Sequence, residues 1–269
     1  MASFKKYRVE DSKFRLASID PADAPFLEGN EQAQRDRLEH LAGELDELQN
    51  LLHAEGRRKL LLVLQGMDTS GKDGTIRWVF SRTSPLGVRV TAYKAPNDDE
   101  RARDFLWRCH ANVPRSGQIM VWNRSHYEDV LVPWVEGWID RDELRRRYAQ
   151  IRDFERLLTE TGTVVVKCML HISKKVQRER LQARVDDPGK RWKFQRSDLD
   201  VRKKWSEYQR AYEQALGATS SKNAPWHVIP ADSKHHRNLM IAQLLVKTLR
   251  GMKLALPPAD PSLDGLVVE

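Results

Sequence analysis

Residues 59–74 constrain this chain more than any other stretch. Lys-Leu-Leu-Leu-Val-Leu-Gln at 59–65 is an apolar run of strand length, suited to burial on both faces of a parallel sheet. Gly66-Met-Asp-Thr-Ser-Gly-Lys-Asp-Gly74 follows at once. Ile76, Val79 and Phe80 then recur at helical spacing, which predicts a helix over 75–84. Strand, glycine loop, helix is the order a phosphate cradle needs. Glycines let backbone N–H groups turn inward around an anion, and the helix N-terminus adds its positive dipole end. The loop departs from G-x-x-x-x-G-K-[ST] at one place: Asp73 stands where Ser or Thr is usual. A second carboxylate, Asp68, lies inside the loop. Two acids in a phosphate loop repel the ligand unless a metal ion lies between them, so Asp68 and Asp73 are the expected metal ligands.

Alternation places the remaining elements. Strands are expected at 87–93, 118–122, 163–172 and 226–229, and helices at 31–55, 97–110, 141–160 and 234–252. Strands separated by helices imply an α/β fold with a mostly parallel sheet covered on both faces, and ligands then gather where the strands end. That rule brings Asn123-Arg-Ser-His-Tyr-Glu-Asp129, at the end of the third strand, opposite Lys72. Arg124, a fixed cation with forked donors, suits a transferring phosphoryl group; its bland alternative is a salt bridge to a nearby acid. Glu128 and Asp129 are candidate nucleotide or metal contacts, and His126 and Tyr127 are as readily structural.

The net charge of +8 is concentrated. Residues 174–204 hold twelve Lys or Arg and five Asp or Glu, so this window carries +7 and the rest is nearly neutral. Arg180 and Arg184, and Lys174 and Arg178, are spaced i,i+4, which sets like charges on one helix face unless an anion separates them. Asp186-Asp187-Pro188-Gly189 breaks that helix, Lys190-Arg191-Trp192-Lys193-Phe194 interleaves bases with aromatics, and Ser197 is placed to cap a second helix. Helix, basic loop, helix is the organisation of a lid over phosphates. A solvated helix face is the bland alternative, and a nucleic-acid surface with Trp192 and Phe194 as stacking platforms is another.

No apolar run approaches the ~20 residues that span a bilayer, and the N-terminus lacks the apolar stretch of a secretory signal, so a cytoplasmic enzyme with no membrane partner is expected. Cys109 and Cys168 lie in apolar surroundings and suggest buried, reduced thiols. Leu38, Leu41, Leu45, Leu48 and Leu52, spaced 3,4,3,4, serve either core packing or a dimer seam.

Gly66–Gly74, the run Asn123-Arg-Ser-His-Tyr-Glu-Asp-Val-Leu-Val132 and Lys190-Arg-Trp-Lys-Phe194 resemble the polyphosphate kinase 2 family, as do Leu170-His-Ile-Ser173 and Ala224-Pro-Trp226 followed by Pro230-Ala-Asp232. The resemblance spans about residues 30–250. It implies a three-layer, thymidylate-kinase-like P-loop fold with a helical lid, and transfer between inorganic polyphosphate and AMP, ADP or ATP. Mg²⁺ is the implied ion, with Mn²⁺ the alternative. Asp68 then looks like the essential loop acid, Lys72 and Arg124 like phosphate clamps, and Arg178 and Arg184 like lid cations. Glu128 matches a position associated, in the single-domain third class, with accepting both AMP and ADP. Phosphate and nucleotide contacts are expected from Gly66, Thr69, Ser70, Gly71, Lys72, Asp73 and Gly74, from Asn123 and Glu128, and from Arg178, Arg184, Lys190 and Trp192. The expected organisation is an extension at 1–30, a phosphotransferase domain at 31–255 with its lid at about 174–204, and a tail at 256–269. A homo-oligomer, dimer or tetramer, is expected, and nucleic acid is not the expected partner. A conventional ATP-dependent nucleoside or monophosphate kinase is the rival within this fold; it usually keeps Ser or Thr at position 73.

Overall fold

In the computed structural model, which describes residues 3–268, five parallel strands form one sheet in the order β2-β3-β1-β4-β5. The strands are β1 (Lys59–Gln65), β2 (Val88–Ala92), β3 (Ile119–Asn123), β4 (Thr163–His171) and β5 (Trp226–Pro230). β1 is central, paired with β3 on one side and β4 on the other. Leu60 to Leu64 are all buried, as an unalternating apolar run predicts. Each such side chain contributes roughly 1.5–3 kcal/mol by leaving water.

Helices cover both faces. One layer holds α1 (Glu31–Glu55), α2 (Lys72–Val79) and, late in the chain, α10 (Lys234–Gly251), which pack on one another. The other holds α5 (Glu128–Val135), α6 (Arg141–Glu160) and α9 (Trp205–Thr219). Between them in sequence come the short helices α3 (Asp98–Arg101) and α4 (Trp107–His110), and the basic window folds as α7 (Lys174–Asp186) and α8 (Ser197–Lys203). Leu38, Leu45 and Leu52 of α1 are buried, and Leu41 and Leu48 pack on the same core. The stripe therefore packs on the core, with α10 the main partner of α1.

Residues ahead of α1 are tied to the sheet. Tyr7, Val9, Leu16, Ile19 and Phe26 are buried, Val9 N–H donates to the Trp226 carbonyl, and Asp232 N–H donates to the Pro21 carbonyl. Among the described residues no helix is long and apolar enough to cross a membrane. Cys109 and Cys168 are buried and free.

Several local expectations are corrected. The helix after the loop begins at Lys72, because left-handed Gly71 (φ 101°) is its cap. The helix expected over 97–110 is two turns: Asn97 and Glu100 form a reciprocal capping box for α3, and the Asp104 carboxylate then takes the Leu106 N–H and restarts the chain as α4. Ser197 is a helical residue and caps nothing; the Asp198 carboxylate accepts the Gln195 N–H instead. α5 escapes the pattern because Pro133 lies inside it. α9 was legible from Tyr208, Ala211, Tyr212, Ala215 and Leu216, which line one buried face, yet it stands outside the segments expected above.

Candidate active site

All five strands point the same way, so the segments after β1, β3, β4 and β5 meet at one sheet edge. The loop after β1 carries Gly66, Thr69, Ser70 and Gly71 into α2. Gly66 has φ 148°, and a Cβ there would stand 2.6 Å from the Leu170 carbonyl oxygen, so the close approach of β4 requires glycine. Only three non-glycine residues among those described have positive φ: Thr69 (66°), Arg124 (62°) and Lys253 (51°). Two of the three lie in this site. Such conformations cost on the order of 1–3 kcal/mol each and persist where surrounding structure enforces them. Here the Arg124 N–H is held by the Leu64 carbonyl at 3.0 Å, which fixes the turn after β3 beside the loop after β1.

The expected residues do converge. Arg124 Nη2 reaches Asp68 Oδ1 at 3.0 Å, so the salt bridge to Arg124 exists, but its partner is the loop acid and not Glu128 or Asp129. Asn123 Nδ2 donates to Asp73 Oδ1 at 2.7 Å. Lys72 is buried and donates to the Gly66 carbonyl at 2.7 Å, folded back on its own loop. Burial and the adjacent Arg124 push the Lys72 ammonium below its usual range, while Asp68, Glu128 and Asp73 pull it back. Burial raises the Glu128 carboxyl, against Arg124 and Lys72, which hold it down. Lys72, Asp68, Arg124 and Glu128 thus form one electrostatic cluster. Gln65 and Tyr212 floor it: Gln65 Nε2 donates to Ser125 Oγ at 3.1 Å, and the Tyr212 hydroxyl stays protonated because burial, Glu128 and Asp68 all oppose its ionisation.

Three buried hydroxyl oxygens in and beside the loop, on Thr69, Ser70 and Thr75, have no hydrogen-bond partner. Buried polar atoms are normally satisfied, so three orphans around one concave loop mark the place of a polar ligand. The carboxylates suit Mg²⁺ among divalent ions. No group of three or more protein ligands able to hold a metal is present among the described residues, and Mg²⁺ characteristically uses one or two carboxylates plus substrate phosphates.

The lid residues divide. Ser173 caps α7 through the Val176 N–H, placing that helix directly after β4. Arg178 is exposed. Arg184 is half-buried, donates to the Lys193 carbonyl at 3.2 Å and approaches Asp198 at 3.8 Å. Asp198 itself feels Asp68 and Arg124, so α8 hangs over the site. Lys190 and Trp192 lie at the exposed hairpin between α7 and α8, where Lys190 pairs with Asp187 and the Trp192 indole donates to the Gly189 carbonyl. The structure does not bring these two against the loop.

The second half of the 123–129 turn points into the protein. Asp129 pairs with buried Arg108 at 2.8 Å and not with a group of the loop. His126 and Tyr127 are buried beside Glu155. Lys167 Nζ, fully buried on β4, donates to Glu155 at 2.6 Å, to the Thr219 carbonyl at 2.9 Å and to the Tyr127 oxygen at 3.0 Å, using all three of its protons. No spacing rule in the sequence signals this pair.

Residues 28–257 match the polyphosphate kinase 2 family. The chain is 48% identical over 266 residues to an AMP/ADP-polyphosphate phosphotransferase of Meiothermus ruber, covering 98% of this chain and 100% of that protein. It is 39% identical over 271 residues to an ADP-polyphosphate phosphotransferase of Rhodopseudomonas palustris, covering 96% and 93%. The crystal structure of polyphosphate kinase 2 from Arthrobacter aurescens superposes with a TM-score of 0.92 at 47% identity, over 95% of this chain and 92% of that one. The chain belongs to the polyphosphate kinase 2 family.

Proposed function

We propose that this protein transfers a phosphoryl group between inorganic polyphosphate and a nucleotide, with AMP and ADP as acceptors. The observation that carries the reading is the phosphate loop itself, with Lys72 and Arg124 beside three unsatisfied hydroxyls and acids at 68 and 73. A polyphosphate chain offers dense negative charge and no base to read, so it needs cations without hydrogen-bond selectivity. The lid window, with its +7, meets that need.

In the reaction, a terminal phosphate oxygen of the nucleotide attacks the end phosphorus of the chain. A new P–O bond forms, the bond to the next phosphate breaks, and the chain leaves one residue shorter. The attacking phosphate is already ionised, so positioning and charge stabilisation carry the rate. Lys72 would leave its loop carbonyl for the phosphate oxygens, and Arg124 would exchange Asp68 for the transferring group. Asp68 and Asp73 would hold Mg²⁺, which when bound neutralises phosphate oxygens. Glu128, charge-coupled to Lys72 and Arg124, would lie on the acceptor side. Arg178 and Arg184 would extend the cationic track along the lid.

The test uses purified protein with Mg²⁺, polyphosphate and either AMP or ADP, no ATP added, and chromatography of the products. New ADP from AMP and new ATP from ADP support the reading. Phosphorylation of AMP that requires added ATP would overturn it in favour of a conventional nucleotide kinase.

A further inference from the structure

Against the carbonyls of Thr69 and Ser70 in the phosphate loop lie two arginines to which nothing above gives a role. Arg180, on α7, donates to four backbone carbonyls: Thr69 at 3.0 Å, Ser70 at 3.5 Å, Ala231 at 2.9 Å and Asp232 at 2.8 Å. Arg237, on α10, is 3% exposed and donates to the Ser70 carbonyl at 3.2 Å and to the Asn238 side chain. No carboxylate forms a salt bridge with either guanidinium among the described residues. Leaving one buried and one half-buried cation without counter-ions is unfavourable unless carbonyl dipoles or a bound anion compensate them.

Their position answers what they compensate. The C=O and N–H of one peptide point opposite ways, so a Ser70 carbonyl held by arginines turns the Gly71 N–H to the other side of the loop, while the Ser70 N–H is already taken by the Met67 carbonyl at 3.0 Å. Both guanidiniums converge on the Ser70 carbonyl, and Arg180 also takes that of Thr69, the residue held at φ 66°. Arg237 further occupies the space beside Gly71: a Cβ there would stand 1.8 Å from Nη1. Glycine at 71 is therefore required twice, by its φ of 101° and by the arginine lying against it.

We infer that Arg180 and Arg237 are positioning residues that hold the phosphate loop open by its carbonyls. Arg180 also makes the lid part of the same device. One side chain on the first lid helix joins that helix to the loop after β1 and to the loop after β5. Asp232 completes the joint, its carboxylate accepting the Ser173 N–H that opens α7. Lid placement and loop shape are then set together. The inference rests on the loop being a phosphate site, as proposed above.

Calorimetric binding of tripolyphosphate in Mg²⁺ buffer tests it on the full chain, comparing native protein with R180K, R237K and the double variant. Lysine keeps the charge and cannot fork to several carbonyls. An exposed arginine replacement, R156K, is the control. Each single variant is expected to weaken tripolyphosphate about tenfold, and the double by clearly less than the product, because both act on one carbonyl. R156K is expected to bind as native. Circular dichroism and melting on every variant separate loop effects from unfolding. Arg180 is only half-buried, so R180K carries the test even if R237K fails to fold. Native-like binding by folded R180K overturns the inference, and so does a double variant whose loss equals the product of the singles. Native protein that binds tripolyphosphate but makes no ATP from polyphosphate and ADP would refute the proposed reaction, while the variant ratios still judge the brace.

Discussion

Two ionic clusters flank the same turn after β3, and they are built on opposite principles. On the inner side, Glu155, Lys167, Tyr127 and His126 are buried together, and every Lys167 proton has an acceptor. On the outer side, Asp68, Lys72, Arg124 and Glu128 are crowded and partly open, with Lys72 resting on its own loop and orphan hydroxyls beside it. In the first cluster both charges are paired and only His126 Nδ1 lacks a partner; beside the second, three hydroxyls are unmet. Strain follows the same division, since Arg124 and Thr69 have positive φ and no residue of the inner cluster does. Charge alone therefore does not mark a site in this protein; unmet hydrogen-bonding capacity beside strained backbone does.

The comparison is broken most severely by removing one member of the inner pair. Glu155→Leu leaves Lys167 buried and unpaired and is expected to cost about 3–5 kcal/mol in denaturant unfolding, with turnover per folded molecule close to native. Replacing both partners, Glu155→Leu with Lys167→Met, is expected to recover most of that loss. Lys72→Ala is expected to do the reverse: turnover falls about 10²–10³-fold while the melting temperature moves by only a few degrees. Tyr127→Phe removes one inner hydrogen bond and is expected to cost about 1–2 kcal/mol of stability, read by the same unfolding curve. Neutralising Arg178 and Arg184 together is a smaller probe of the outer side. The apparent KM for long polyphosphate is expected to rise several-fold more than that for nucleotide in steady-state kinetics; equal rises would remove the lid from the polyphosphate track.

The gentlest probe is pH. Burial lowers His171 and His227 to about 4, so both stay neutral in the fold where the unfolded chain would protonate them. The unfolded state then binds more protons below about pH 6.5, and stability is lost as pH falls from there toward 4, with no further loss from these groups below. Melting temperature across that window measures it, and His171→Asn should flatten part of the slope.

The outer cluster was largely legible because its residues are contiguous. Gly66 to Gly74 and Asn123 to Glu128 are short runs, and the parallel-sheet rule alone brings their ends together. The inner cluster was not, because Glu155 reads as one charge on a polar helix and Lys167 as one polar letter in an apolar strand. Periodicity places such residues on a face but does not pair faces of different elements. The same reason hid Arg180 and Arg237, whose meeting depends on α7 and α10 both packing against the loop. The turn at 123–129 looked uniformly functional; the structure splits it, with Arg124 outward and His126, Tyr127 and Asp129 inward.

The division between a charge-paired and an open cluster is tested most directly by Asp68→Asn, a near-isosteric change that removes one charge from the loop. Turnover is measured per folded molecule with polyphosphate and ADP across a Mg²⁺ titration. A fall of about 10²–10³-fold that saturating Mg²⁺ does not restore, with an unchanged melting curve, is the expected result. Near-native turnover would contradict the account, because the loop acid would then be no more than a partner for Arg124.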